Sequence, residues 1–198
     1  MKALQNGAKV KKVVINGFVT LSMGCLNNNN MYDVIKNASS VEIDNVTNIS
    51  KGVFANLNNI TEVTIPDSVK KLDDGSFANC NNLTTINGCK NINDFFNAFY
   101  YTGDNGPKET IVNTSNTTLI KQILFKLNPD DDMSFTETLC NRKFKAGTLT
   151  IGNDTTVKKV DDTTIQIDGT GNIGNDSLSG ISGISGKIDK VIIGDGVT

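Results

Sequence analysis

The chain has 198 residues, enough for one large domain, or two small ones, with a sizeable buried core. Its 19 basic and 21 acidic side chains leave a formal net charge of −2, which argues against the basic stripe of a nucleic-acid-binding protein. Histidine is absent, which excludes the commonest general base and metal ligand together with the catalytic triads built on it.

The rest of the composition predicts short elements and no membrane span. No apolar run approaches the ~20 residues of a membrane-spanning helix. Residues 1–12 are polar and basic, with no apolar stretch behind them, so they do not predict a signal peptide. Asparagine makes up roughly a seventh of the chain, and with 18 glycines this predicts many short elements joined by tight turns.

The predicted elements follow an apolar pattern that recurs along the chain. An early copy has Val13, Ile15, Phe18, Leu21 and Leu26. Strand pairs with the same alternation follow at Val41/Ile43 and Val63/Ile65. After each pair comes a longer set of apolar positions, repeated at a shift of 23 residues: Val46, Ile49, Phe54, Leu57 and Ile60, then Val69, Leu72, Phe77, Cys80 and Leu83.

Further copies are predicted on the C-terminal side. The same shift places Ile86, Ile92, Phe95 and Tyr100 in the positions of Val63, Val69, Leu72 and Phe77. Ile165 and Ile167 begin a later copy that continues through Ile173, Leu178, Ile181 and Ile184, and Val191 and Ile193 begin another. Because a domain rarely ends on the first strand of a repeat, we expect the chain to be part of a longer array.

The stretch NLNNITEVTIPDSVKKLDDGSFANCNNLTTI resembles the leucine-rich repeats of the BspA type, also called the Treponema type. The resemblance is specific over residues 41–92, good over 161–198 and weak at the N-terminus, and it fails over 93–145. It implies an α/β repeat solenoid: a right-handed leucine-rich-repeat β-solenoid that is mainly parallel β, with a partly helical irregular insertion. The predicted domains are N-terminal repeats over 1–92, a divergent segment over 93–145, and C-terminal repeats over 146–198.

The repeat pattern also predicts which side of each strand is buried. One such strand cannot bury its apolar face alone, whereas stacked copies share a continuous core. Inward positions are predicted at Val41, Ile43, Val63, Ile65, Ile165, Ile167, Val191 and Ile193. The alternate side chains point to the other side of the sheet. They give the candidate recognition face: Glu42, Glu62, Thr64, Gln166, Lys190 and Ile192.

The middle segment has one strong helical signal, at about 117–127. Leu119, Ile120, Ile123, Leu124 and Leu127 share one arc of a helix. Asn116 is a candidate N-cap, and Pro129 is a stop signal. Phe125 falls on the opposite side, where it is either exposed or covered by the aromatic residues of 95–100. We interpret 93–145 as an insertion or divergent repeats packed on the solenoid rather than as a catalytic module.

Two motifs typical of ligand sites have simpler structural interpretations. Residues 169–174 satisfy G-x-G-x-x-G after a predicted strand, but the glycine- and serine-rich sequence that follows does not favour the helix that a dinucleotide site needs. Residues 130–132 are three aspartates, yet the sixth position of an EF-hand loop counted from Asp130 is Phe135 instead of glycine. We therefore predict no cofactor and no metal.

Single-residue signals also favour structural roles. Cys25, Cys80, Cys89 and Cys140 lack C-x-x-C spacing, and we interpret them as small buried apolar residues. Nine N-x-S/T sequons occur, but the abundance of asparagine, serine and threonine explains many of them, so they are weak support for glycosylation. Acidic pairs at Asp73-Asp74 and Asp161-Asp162 fall at recurrent turns, as solvated edge charges do.

With no catalytic constellation in view, the sequence favours a non-enzymatic recognition module that binds another protein or a surface glycan. The resemblance implies a microbial cell-surface or secreted protein, possibly in adhesion to host components. One alternative is a structural spacer or stalk in a larger surface protein. A more remote alternative is an enzyme with carboxylates in 93–145, which would need two of them facing each other across a cleft at ~5–10 Å.

Overall fold

The computed structural model describes residues 11–17, 19–28, 31–92, 94–99, 109–125, 143–146, 149–150, 154–160, 163–171 and 188–197. Two compact units divide the chain. The first contains Met1–Asn116 and Thr136–Phe144, and the second contains Thr117–Phe135 and Lys145–Thr198. The predicted boundaries at 92/93 and 145/146 stay predictions.

A six-stranded sheet forms the larger side of the first unit. Its order is β1-β3-β5-β7-β8-β9, and the pairs from β1 to β8 are parallel. Each parallel neighbour comes from the next repeat, because the chain has to cross over before it can pair in parallel. The strands are β1 (Lys12–Asn16), β3 (Ser40–Asp44), β5 (Glu62–Ile65), β7 (Thr85–Gly88), β8 (Glu109–Asn113) and β9 (Lys143–Ala146).

A second, narrower parallel sheet closes the other side of the repeats. It contains β2 (Thr20–Leu21), β4 (Asn48–Ile49) and β6 (Lys71–Leu72) in that order. Leu21 pairs with Ile49, which pairs with Leu72, and all three side chains are buried. The predicted repeat register is therefore confirmed across these rungs, including the early copy near the N-terminus.

The core between the two sheets contains a stack of phenylalanines. The ring centroids of Phe54 and Phe77 lie 5.0 Å apart, with the ring planes 14° from parallel. Phe99 continues the stack at 5.8 Å from Phe77. The 23-residue shift predicted Tyr100 as the third bulky residue, and this prediction is wrong by one position. The 3₁₀ helix Phe96–Phe99 places Phe99 on the stack instead. Tyr100 itself lies outside the described residues.

Short helices fill the long connection between the first two copies. α1 (Met23–Asn28) and α2 (Met31–Ile35) occupy the region of the asparagine run, and they bury Leu26 and Ile35 completely. The sequence pattern did not predict these helices, because each is too short to show a helical apolar period. Leu26 and Ile35 thus extend the buried core through a connection in which the 23-residue spacing of the repeats is not kept.

The second unit combines one helix with a four-stranded sheet. The predicted helix is present as α3 (Thr117–Phe125), with Leu119, Ile120 and Ile123 buried. The side chains of Leu124, Phe125 and Leu127 lie outside the described residues. The sheet order is β10-β11-β12-β13, with antiparallel pairs up to β12 and a parallel pair between β12 and β13. The strands are β10 (Leu149–Thr150), β11 (Thr155–Lys159), β12 (Thr164–Gly169) and β13 (Lys190–Ile193).

The last strand corrects one part of the predicted core. Ile165 and Ile167 on β12 are buried as predicted, whereas Val191 and Ile193 on β13 are 50% and 60% exposed. Their register is the expected one, since Val191 pairs with Ile165 and Ile193 with Ile167. They are exposed because β13 is the edge strand of this sheet and β12 is its one neighbour in the described sheet. The other six predicted inward positions are buried.

Taken as a class, the fold is the predicted one. It is a repeat structure of mainly parallel sheets with a few short helices. Two features were not anticipated: the antiparallel pairing of β10, β11 and β12, and the continuation of the main sheet by β8 within the segment expected to be irregular.

Candidate functional site

The side of the six-stranded sheet that faces away from the core is the candidate recognition surface, here called the outer face. Along β3 and β5 the side chains alternate between buried and partly exposed, as a strand covered on one side requires. Glu42, Glu62 and Thr64 lie on this outer face and are partly buried. Glu42 pairs in register with Thr64, which pairs with Asn87 on β7.

The other three predicted recognition residues belong to the second unit. Gln166 lies on β12, and Lys190 and Ile192 lie on β13, all in the four-stranded sheet. Gln166 pairs in register with Ile192, and Lys190 pairs with Thr164. The six residues therefore form two groups of three on two separate sheets. The sequence could not separate the groups, because the same alternation marks the strands of both units.

Three carboxylates lie along the outer face of β3 and β5, with Glu42 between the other two, and we name Glu42, Asp44 and Glu62 the carboxylate patch. Glu42 forms an ion pair with Lys12 of β1. Asn87 Nδ2 donates a hydrogen bond of 2.7 Å to Glu62 Oε1. Asp44 Oδ2 accepts one of 3.1 Å from Asn16. Each carboxylate is therefore held by a side chain of a neighbouring rung, and two of the three are held by neutral amides.

A second polar network lies on the four-stranded sheet. Gln166 Nε2 donates a hydrogen bond of 2.7 Å to Asp168 Oδ1, and Lys158 Nζ lies 3.0 Å from Asp168 Oδ2. The hydrogen bond from Gln166, followed by the bond and charge of Lys158, lowers the pKa of Asp168 below its ordinary value. Gln166 is therefore occupied in orienting a carboxylate on its own sheet face.

Hydroxyl and amide side chains at the turns tie successive repeats together. Thr61 Oγ1 donates to the carbonyl of Ser39 at 3.1 Å, and Thr84 Oγ1 donates to the carbonyl of Thr61 at 3.2 Å. Asn79 Nδ2 donates to Asn56 Oδ1 at 3.0 Å, and both asparagines have a positive φ. These ladders account for much of the unusual asparagine and threonine content. The sequence showed the residues at a constant spacing, but not that they bond to one another.

The predicted burial of the cysteines is confirmed for Cys80 and Cys89. Cys80 is buried and its Sγ lies 2.9 Å from the carbonyl oxygen of Phe54, to which it donates. Burial raises the pKa of Cys89 to about 12. Cys25 departs from the buried interpretation, since it is partly exposed. A hydrogen bond with the Ser22 hydroxyl lowers the pKa of Cys25. Cys140 lies outside the described residues.

A shallow groove in the first unit collects several charged side chains. Its lining includes Lys51, Asp74 and Asp94, and it also contains an ion pair of 2.7 Å between Lys71 and Asp73. The Asp73 bond and charge raise the pKa of Lys71. Within the described part of the chain, no group of three His, Cys, Asp or Glu side chains has the geometry to hold a metal ion. The groove is therefore a set of solvated charges in which two lysines lie among three carboxylates.

The remaining motifs are explained by backbone structure or lie outside the described residues. Gly169 has φ 141°, and a Cβ atom there would lie 2.0 Å from the carbonyl oxygen of Asp154. The close approach of β11 and β12 is therefore sufficient to explain the first glycine of the motif without a bound dinucleotide. Asp130–Asp132, Asp161, Asp162 and the later part of the G-x-G-x-x-G motif are outside the described residues. No helix within the described ranges is long and apolar enough to cross a membrane.

Asn116, the candidate N-cap of α3, makes long-range contacts. Its Nδ2 donates to the carbonyl oxygens of Cys89 and Ile92, at 3.1 and 2.9 Å. Within the first unit it therefore holds the turn that follows β7. Asn116 was predicted from its position before the helix, but its side chain bonds to an earlier repeat, as the side chain of Asn79 does.

Comparison with known families identifies the type of repeat. Residues 26–131, more than half of the chain, match the family described as BspA type leucine rich repeat region, in six copies. No curated protein and no solved structure matches the chain. The matched range includes residues 93–131, so the expectation that the resemblance fails from residue 93 is wrong there. The physical reason is visible in β8, which adds a further parallel rung to β7. The chain belongs to the family of BspA-type leucine-rich repeats.

Proposed function

We propose that this chain is a non-enzymatic binding module of a microbial cell-surface or secreted protein. The family supports a protein-binding repeat module, because stacked repeats create extended surfaces that bind other macromolecules. Adhesion to host components is the more specific role proposed. The observation that carries it is the outer face: a partly exposed strip of polar side chains on strands held in register.

The proposed surface is suited to recognition by its rigidity. Its strands are held by backbone pairing with defined register and by side-chain ladders between repeats. Glu62 and Asp44 are fixed by amides before any partner arrives. A surface ordered in advance loses little conformational entropy on binding, which favours affinity for a partner of complementary shape.

Two matched variants test the proposal. One carries Glu42→Ala, Glu62→Ala and Thr64→Ala, and the other carries Gln166→Ala, Lys190→Ala and Ile192→Ala. The immobilised chain is probed with purified matrix proteins and a glycan array, and each captured partner is titrated against both variants. We expect the first variant to weaken binding by about tenfold or more, because it removes side chains from the centre of the proposed surface.

The same experiment distinguishes the alternatives. Binding that both variants retain would place the site elsewhere and contradict the proposal. A chain that captures none of the proteins or glycans would favour the spacer role, in which the repeats only hold another domain away from the cell wall.

A further inference from the structure

Three carboxylates of the outer face lie on β3 and β5. The carboxylate patch has Glu42 and Asp44 two residues apart on β3, and Glu62 lies on the adjacent strand. Glu62 pairs with Ser40, so strand geometry places Glu42 about 7–8 Å from both Asp44 and Glu62, whereas Asp44 and Glu62 are about 14 Å apart. Among the described residues, Lys12 is the lysine that forms an ion pair with the patch, and its partner is Glu42.

Glu62 and Asp44 are oriented by neutral amides, which leave their charges in place. The amides of Asn87 and Asn16 each donate one hydrogen bond, to Glu62 and Asp44 respectively. A carboxylate has two oxygens and about four acceptor positions, so each keeps the capacity to accept further bonds. Ammonium and guanidinium groups form the strongest such bonds, because both partners are charged.

Apolar side chains on the same face complement the charges. Val14 pairs in register with Glu42 and is 55% exposed, and Ile111 on β8 is 46% exposed. The aliphatic stems of lysine and arginine cover such surface while their charged ends reach a carboxylate.

We propose that the partner of the outer face is a protein that presents an extended segment rich in lysine or arginine, which binds at the carboxylate patch. This inference rests on the proposed function and specifies the partner's chemistry. Two amide-oriented carboxylates with spare acceptor positions match the donors of such a segment. The single ion pair with Lys12 leaves the patch with an excess of negative charge. Val14 and Ile111 provide contact area for the aliphatic stems.

A labelled peptide tests the charge requirement. The probe is a fluorescent peptide of alternating lysine and threonine, about ten residues long, compared with the glutamate-threonine peptide of equal length. The patch variant carries Glu42→Gln, Asp44→Asn and Glu62→Gln, which keep the side-chain shapes. The control variant carries Asp73→Asn, Asp74→Asn and Asp94→Asn, which make the same change in net charge at the groove. Equal urea midpoints would show that both variants are folded.

We expect the dissociation constants of the lysine peptide for the unmodified chain and for the control variant to agree within about twofold. The peptide should bind the patch variant about tenfold more weakly, because charge-assisted bonds are lost there. Raising the salt from about 50 to about 300 mM should weaken binding more in the unmodified chain than in the patch variant. Equal weakening in both variants, or none in either, would overturn the inference.

A result against this inference need not count against the proposed function. If a matrix protein captured by the chain needs the alanine-scanned outer face but binds the patch variant normally, the basic partner is wrong and the binding surface stands. If no captured partner depends on the outer face, the proposed function itself fails, whatever the peptide does.

Discussion

Two strands with the same apolar pattern end in different environments. Val63 and Ile65 in the first unit are fully buried, whereas Val191 and Ile193 in the second unit are half exposed or more. β5 has a parallel neighbour on each side, while β13 pairs with β12 and forms the sheet edge. The alternation in sequence therefore determines which side of the sheet a residue occupies, and the adjacent repeats determine how far it is buried.

The two units also differ in what joins their strands. In the first, the phenylalanine stack and the ladders of threonine and asparagine connect each repeat to the next. In the second, β11 and β12 form an antiparallel pair. The backbone at Gly169 lies so close to Asp154 that a Cβ atom there would be 2.0 Å from the Asp154 carbonyl oxygen. Cooperative stacking is thus best developed where bulky residues recur at the repeat spacing.

The largest effect is expected for the phenylalanine stack. Phe77→Ala should cost about 3–5 kcal/mol, because it leaves a cavity between Phe54 and Phe99 in a core that cannot collapse. Thr64→Ala, on the outer face, should stay within about half a kcal/mol. Urea denaturation followed by circular dichroism gives both values. Similar losses for the two variants would mean that the assigned sides of the repeats are wrong.

A pair of glycines tests the packing between neighbouring strands. Gly88 and Gly17 both have φ 94°, but a Cβ at Gly88 would lie 1.9 Å from the carbonyl oxygen of Ile65, and one at Gly17 would meet nothing within 4 Å. Gly17→Ala should cost about 1 kcal/mol from backbone strain alone. Gly88→Ala should cost about 3 kcal/mol, since the clash is added to the strain. Equal unfolding free energies for the two variants would contradict the close stacking of β5 and β7.

The valines of the two units provide the direct contrast. Val63→Ala should destabilise by about 2 kcal/mol, because two buried methyl groups are lost from a filled core. Val191→Ala should change stability by less than about half of that amount, since half of the side chain is already exposed. The measurement is the free energy of unfolding in urea. A larger loss for Val191→Ala would show that the edge strand is covered in solution.

The smallest effect concerns a buried hydroxyl. Ser76 is completely buried, and its Oγ has no hydrogen-bond partner among the described residues. The residue 23 positions earlier is the buried Val53. Ser76→Ala should therefore be neutral, or stabilising by up to about 1 kcal/mol, because it removes an unsatisfied polar group. A clear loss of thermal stability would indicate that the hydroxyl is bonded, for example through an ordered water.

Much of the fold could be predicted from the sequence, because it follows from local alternation and constant spacing. Val41, Ile43, Val63 and Ile65 are buried where the pattern placed them. Three outcomes could not be predicted. Phe99 replaces Tyr100 because a 3₁₀ turn shifts the register by one residue. The exposure of Val191 depends on neighbours that its own strand does not specify. The antiparallel pairing of β11 depends on tertiary contacts that a repeat pattern does not encode.

The candidate site was predictable only in part for the same reason. Alternation identified Glu42, Glu62 and Thr64 as outward residues, yet it could not tell that Gln166 and Lys190 belong to another sheet. Asp44 was missed, although it continues the outward alternation of Glu42 by two residues. The amides that orient the patch come from strands 28 and 25 residues away in sequence, so no short motif could indicate them.

Neighbouring repeats share one interior through their phenylalanines. A double-mutant cycle on Phe54 and Phe77 measures this contact directly. Phe54→Leu, Phe77→Leu and the double variant are compared by their free energies of unfolding in urea. Stacked rings predict a coupling of about 0.5–1.5 kcal/mol between the two positions. Losses that add within about 0.3 kcal/mol would contradict the stacked arrangement.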